Sequence, residues 1–164
     1  MLTDKKILVT GGAGFIGTNL IKQLVEKTNE VYSLDNYFMG SKLNHVTGAN
    51  YIEGDINQIK KLVNFQPDLV FHLGEYSRVE QSFDDISLVF DTNIKGLYEV
   101  LKFCGLCKSK LIYAGSSTKF ATGELKEQSS PYSWSKSSNT EFIKNYATWY
   151  DLDYAITYFY NAFG

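Results

Sequence analysis

Cysteine is scarce in this sequence: two residues in 164, Cys104 and Cys107, in a Cys-Gly-Leu-Cys run. Two thiols do not make a disulfide framework, and a structural zinc site takes about four ligands. Only His45 and His72 could add to them, and both are remote in sequence. A redox pair belongs at a helix N-terminus, where the dipole lowers thiol pKa. This pair instead follows the run Leu97 to Phe103, near a helix's C-terminal end, and reads as helix packing. A charge imbalance is missing too. Sixteen Lys and Arg face 18 Asp and Glu, for a net charge of -2. Electrostatic nucleic-acid binders are strongly basic, so nucleic acid is not expected as a partner. No apolar run approaches the ~20 residues of a membrane span. Met1-Leu2-Thr3-Asp4-Lys5-Lys6 lacks the apolar stretch of a signal peptide. Repeats, linkers and low-complexity stretches are also absent. The expectation is a cytoplasmic protein with no membrane partner.

What is present is the material of a core. With 44% hydrophobic and 15% aromatic residues the chain is too apolar for disorder. Its length suits one domain, able to bury roughly 70% of its unfolded surface. Short apolar runs alternate with longer amphipathic ones, the pattern of βαβ units and a parallel sheet. Strands are expected at Lys6 to Thr10, Val31 to Asp35, Asn50 to Glu53, Leu69 to Leu73, Lys110 to Ala114 and Tyr154 to Tyr160. One helix runs through Ile16, Leu20, Ile21 and Leu24, and another from about Val89 to Cys104. A long third one starts at the N-cap Ser130 with Pro131 in its first turn. Its core face is Phe142, Ile143, Tyr146, Ala147 and Tyr150. The expected fold is α/β: a doubly wound parallel sheet of about six strands, helices on both faces, with the order 3-2-1-4-5-6 taken by analogy with known doubly wound folds.

Two local patterns carry chemistry. Thr10-Gly11-Gly12-Ala13-Gly14-Phe15-Ile16-Gly17 contains Gly-x-Gly-x-x-Gly directly after a strand and at the opening of a helix. In that context bare glycines let backbone approach a pyrophosphate, and the helix N-terminus offers N–H groups and positive partial charge. Asp35, ending the second strand, is placed to accept from an adenosine ribose 2′-OH and to repel a 2′-phosphate, which favours NAD over NADP. The plainer readings are a tight turn without ligand and a surface acid. The second pattern is Tyr132-Ser133-Trp134-Ser135-Lys136, a tyrosine and a lysine on one helix face. An ammonium about 4 Å from a phenol is worth roughly 4 kcal/mol at an effective dielectric of 20, about three pKa units, enough to make the phenol a base near neutral pH. A solvated helix face is the plainer alternative. Ser116 and Ser117, at the end of the fifth strand, lie where open α/β sheets bind ligands.

Together these segments resemble the extended short-chain dehydrogenase/reductases, specifically the nucleotide-sugar epimerase/dehydratase family. The resemblance also runs through Asp35-Asn36, Gly54-Asp55-Ile56, His72-Leu73-Gly74, Asn93-x-x-Gly96 and Tyr158-Phe159-Tyr160-Asn161, in family order over nearly the whole chain. It implies a Rossmann domain holding NAD and a nucleotide-sugar substrate. Ser116 matches the hydroxyl that binds the reacting sugar oxygen, Tyr132 the acid/base, and Lys136 the ligand of the nicotinamide ribose that tunes the tyrosine. Gly11, Gly14, Phe15, Ile16 and Gly17 match the pyrophosphate loop, and Asp35 with Asn36 the adenosine ribose site. Asp55 and Ile56 match the adenine site, and Leu73 and Gly74 a loop beside the cofactor. Phe159 falls near the nicotinamide, and Asn161 matches a substrate contact. No metal is implied.

Departures shape the expected activity. Family dehydratases carry an Asp-Glu pair after the catalytic hydroxyl; here Ser117 and Thr118 stand there, which favours epimerisation. A reductase with net redox turnover, a dehydratase and a non-catalytic NAD-binding module are the alternatives. Glu75 replaces a small residue, putting a carboxylate near the cofactor, and Lys119-Phe120-Ala121 replaces Val-Tyr-Gly. Arg78, the only arginine, either meets a phosphate or is solvated. Family members continue beyond the position of Gly164 into a substrate domain. The expectation is therefore an NAD-binding domain over residues 1–164, with low activity alone and self-association through apolar surface.

Overall fold

The computed structural model of the protein describes residues 3–117, 130–160 and 162. Its centre is the six-stranded parallel sheet that the alternating pattern predicts, in the order β3-β2-β1-β4-β5-β6 expected by analogy. The strands are β1 (Lys6–Thr10), β2 (Glu30–Asp35), β3 (Ala49–Glu53), β4 (Leu69–His72), β5 (Lys110–Ser116) and β6 (Tyr154–Phe159). Strand order reverses between β1 and β4, which pair in register from Ile7↔Leu69 to Thr10↔His72. In such sheets the crevice beyond the carboxyl ends at this switch point is where ligands bind.

Side chains alternate across a strand, so the sheet divides its apolar residues between two faces. Leu8, Leu34, Val70, Leu111 and Tyr113 join the larger core. They pack under α2 (Ile59–Leu62), α4 (Leu97–Cys107) and α5 (Pro131–Tyr150). Ile7, Val9 and Val31 face the other way and meet Ile21 and Leu24, both on α1 (Phe15–Val25). Beyond α1, this second face opens into a cavity of about 620 Å³ under β4, β5 and β6, lined among others by Phe71, Ile112 and Phe159.

The helix expected from Val89 to Cys104 is longer and interrupted. α3 (Ile86–Val89) leads into a π-helical turn at Phe90–Gly96 and then α4. Such turns recur where side chains reshape the helical ladder, and here Asn93 lies in the turn, fully buried. Its Oδ1 accepts from the Tyr76 N–H at 2.7 Å, and its carbonyl accepts from Asn139 Nδ2 at 2.8 Å. Cys104 and Cys107 are free thiols at the end of α4, and burial pushes Cys104 up well beyond the ordinary thiol range. α5 begins as its punctuation predicts, with Ser130 Oγ accepting from the Ser133 N–H at 3.1 Å. Its core face needs one correction. Ile143, Tyr146 and Ala147 are buried, but Tyr150 is 64% exposed; its ring lies over Tyr146, 4.5 Å between centroids, as an outer layer on the core. No helix among the described residues is long and apolar enough to cross a membrane.

Candidate active site

At the β1 side of the switch point the wall is backbone. Gly11 has φ +70, and a Cβ there would meet the Leu73 and Gly74 backbone at 2.8 Å. A Cβ on Gly17 would strike the Gly11 carbonyl oxygen and reach Gly12 Cα at 2.6 Å. These glycines hold the loop against the segment after β4 and bring α1 close to it. Gly14 differs, because its Cβ would find only the Gly11 carbonyl oxygen, at 3.4 Å, and otherwise open space. Gly14 is the N-cap of α1 and brings no side-chain cap, so among the described residues the first N–H groups of α1 have no capping side chain and can meet an anion. An open cradle beside an uncapped helix start suits a pyrophosphate.

Asp35 is no surface acid: it is buried, and its carboxylate organises the loop. Oδ2 accepts from the Ala13 N–H at 2.9 Å and Oδ1 from the Tyr37 N–H at 2.7 Å. An ionised carboxylate has about four lone-pair sites, which leaves capacity for a ribose hydroxyl. Next to it, Asn36 Nδ2 donates to Asp55 Oδ2 at 3.2 Å, joining the loops after β2 and β3. Asp55 also caps the turn that opens with buried Ile56.

At the β4–β6 side the wall is a knot of buried side chains. Lys136 does not lie on a solvated face; its side chain is 8% exposed. Its Nζ donates to the Ala114 carbonyl at 2.7 Å, two residues before Ser116, and lies 2.7 Å from Glu75 Oε2. Tyr113 OH donates to the same Oε2 at 2.9 Å, and Asn139 Nδ2 donates to Oε1 at 3.1 Å. His72 Nε2 approaches Oε1 at 3.4 Å, while its Nδ1 is 2.7 Å from Thr10 Oγ1, which also accepts from the Gly74 N–H at 3.1 Å. Burial alone would raise the Glu75 pKa, but the Lys136 ammonium and the contacts from His72 and Lys136 outweigh it and hold it below the ordinary value. Burial, with the Glu75 charge behind it, drives Tyr113 well above the ordinary phenol value, so it stays a donor.

Most of the expected residues among those described border one crevice. The glycine loop, Leu73 and Gly74 meet at its centre, with Asp35, Asn36, Asp55 and Ile56 toward one end. Ser116 and Lys136 lie toward the other, with Tyr132 one turn before Lys136 on α5. Phe15, Ile16, Leu73 and Phe159 line the open cavity beneath. Arg78 is exposed. Asn161, Thr118 and positions 119–121 lie outside the described residues. Sequence reasoning missed Tyr113 and Asn139, and it had Thr10, Asn93 and His72 only as pieces of motif. Asn139 carried a signal, since it follows Lys136 by three residues and so shares its helix face.

Residues 7–164 match the NAD dependent epimerase/dehydratase family. A putative UDP-glucose 4-epimerase of Methanocaldococcus jannaschii is 31% identical, over 96% of this chain and 56% of its own length. A dTDP-D-glucose 4,6-dehydratase of Dictyostelium discoideum is 28% identical, over 98% of this chain and 44% of its own. Among solved structures, UDP-glucose 4-epimerase from Brucella ovis in complex with NAD superposes with a TM-score of 0.83 at 26% identity, covering 95% of this chain and 52% of that one. An epimerase from Methanothermobacter thermautotrophicus gives 0.90 at 25% identity, covering 99% and 53%. The chain thus spans about half the length of the relatives it matches. On this sequence match and this Rossmann sheet, the chain belongs to the NAD dependent epimerase/dehydratase family.

Proposed function

We propose that residues 1–164 form the NAD-binding domain of a nucleotide-sugar epimerase-type enzyme, with Ser116, Tyr132 and Lys136 as its catalytic residues. The observation that carries this is the fixing of Lys136 against the Ala114 carbonyl, two residues before Ser116, at the mouth of a glycine-lined crevice. In this reading the glycine loop and the start of α1 hold the pyrophosphate, Asp35 and Asn36 the adenosine ribose, and Asp55 and Ile56 the adenine. Lys136 gives an N–H to the nicotinamide ribose, and Phe159 lies near the nicotinamide. Bound NAD supplies a hydride acceptor that returns the hydride later. Tyr132 takes the proton from the sugar hydroxyl as the carbonyl forms and gives it back when the hydride returns to the other face. Ser116 donates to the reacting oxygen, and Asn161 touches the sugar. Serine and threonine at positions 117 and 118 offer no acid–base pair for eliminating water, which favours epimerisation over dehydration.

The test is the melting temperature of the purified chain with NAD+ and, separately, NADP+. Ligand at 100 times its Kd stabilises the native state by about 2.7 kcal/mol; a shift with NAD+ alone is expected. Incubation with UDP-hexoses should then interconvert epimers slowly, with no net NADH. Accumulating or vanishing NADH points instead to a reductase, and binding without turnover to a binding module. The apolar cavity under β4 to β6 supports self-association of this chain, which sedimentation across a concentration series measures.

A further inference from the structure

We propose that Glu75 is a positioning residue that cancels the Lys136 charge at the nicotinamide end of the crevice and thereby biases the site toward the oxidised cofactor. The proposal rests on the cofactor reading above. The Glu75 side chain is 2% exposed, buried with the lysine it holds, so it acts through Lys136. Its carboxylate cannot turn away. Lys136 Nζ at 2.7 Å and Tyr113 OH at 2.9 Å face Oε2; Asn139 Nδ2 at 3.1 Å and His72 Nε2 at 3.4 Å face Oε1. Of the three N–H donors on an ammonium, one goes to Ala114 and one to Glu75 among the described residues, and a third can serve a ribose hydroxyl.

The consequence is electrostatic. The nicotinamide ring is a cation when oxidised and neutral when reduced. A lone ammonium beside it opposes the oxidised form, and at low local dielectric that opposition reaches several ångströms. A lysine–carboxylate pair of zero net charge does not oppose it. Chemistry that takes a hydride from the sugar before returning it starts from the oxidised form.

The experiment is calorimetric titration of the purified chain with NAD+ and with NADH, giving the ratio of the two Kd values. In Glu75→Gln that ratio should move about tenfold toward NADH, since one charge of the pair is left uncancelled. Mere loosening of the site weakens both forms alike and leaves the ratio in place, which overturns the proposal. Glu75→Gln leaves an ammonium buried alone; if it does not fold, the double variant Glu75→Gln/Lys136→Met, which buries no lone charge, carries the test. Both affinities should fall with the lost Lys136 contact to the ribose, while their ratio matches the parent's, because neither protein carries net charge at that pair. A severalfold move toward NAD+ in the double variant shows that the lysine was never cancelled and overturns the proposal. If the parent binds neither form, the cofactor reading falls and takes this proposal with it. If both forms bind and the ratio is unmoved in Glu75→Gln, the cofactor reading stands and this proposal alone fails.

Discussion

On the β1 side of the crevice the walls are main chain: Gly11 against Gly74, Gly17 against Gly11 and Gly12, and the amides of Ala13 and Tyr37 on Asp35. On the β4 side they are side chains, with Glu75, Tyr113, Lys136, Asn139 and His72 in mutual contact and almost no solvent. The first end works by omission, since a Cβ would fill the space. The second works by compensation, since each buried charge or hydroxyl is tolerable only through its neighbour. The two ends should therefore fail differently: the backbone end by steric degrees, the side-chain end by loss of a partner.

The largest effect is expected at Glu75. Glu75→Ala strands the Lys136 ammonium and the Tyr113 hydroxyl, and breaking a buried pair from one side costs about 3–5 kcal/mol. Urea denaturation should show that loss, and removing both charges in Glu75→Gln/Lys136→Met should recover most of it. The same carboxylate sets a pH dependence. Its folded pKa lies below the ordinary glutamate value, so its stabilisation is complete above that value and is lost as pH falls through the folded one. Asp68 and Glu30 are lowered as well, by the Lys6 N–H and by Tyr32 respectively, and contribute in the same direction. Subtracting the urea stability of Glu75→Gln across the acid range isolates the Glu75 share. A parent and variant with parallel acid profiles would contradict the charged pair.

The glycines come next. In Gly17→Ala the new Cβ meets backbone that has little room to move, and overpacking of this kind costs about 1–3 kcal/mol. Gly14→Ala is the sharper comparison. Gly14 has φ -80 and ψ 175, which alanine adopts freely, and its Cβ has space. Its melting temperature should stay near the parent's while NAD+ binding weakens, because the methyl occupies the open side of the cradle. Equal melting losses in both variants would mean that Gly14 is packed like Gly17.

Sequence reading follows the same division. The strands themselves, the glycine loop and the place of Asp35 were legible because their information is local: apolar runs, spacing, and a residue type at a strand end; the order of the strands came from analogy with other doubly wound folds. Tyr132 and Lys136 were legible as a pair because they share one helix face. That Lys136 is buried was not legible, because its burial depends on Glu75 after β4 and Ala114 on β5, far away in the chain. Glu75 stood out only as an unusual residue near the cofactor, and its choice of Lys136 as partner follows from the crossing of α5 over β5. The π-helical turn escaped for a related reason. Its apolar spacing is helical, while its geometry follows the hydrogen bonds that Asn93 makes to Tyr76 and Asn139.

The smallest predicted effect probes how far the side-chain end depends on its scaffold. Ser130 caps α5 through the Ser133 N–H, one turn ahead of the residues that reach the knot. Ser130→Ala frees that N–H and should cost about 1 kcal/mol in urea denaturation. Ser130 belongs to neither the Glu75 cluster nor the glycine cradle, and the helix stays anchored by Lys136, Asn139 and Ile143. The variant should therefore keep the parent's NAD+ affinity and its ratio of NAD+ to NADH binding. A fall in affinity alongside the stability loss would show that the start of α5 sets the position of Tyr132 and Lys136. The contrast between the two ends would then extend to their rigidity, with the side-chain end relying on its helix cap as the backbone end does not.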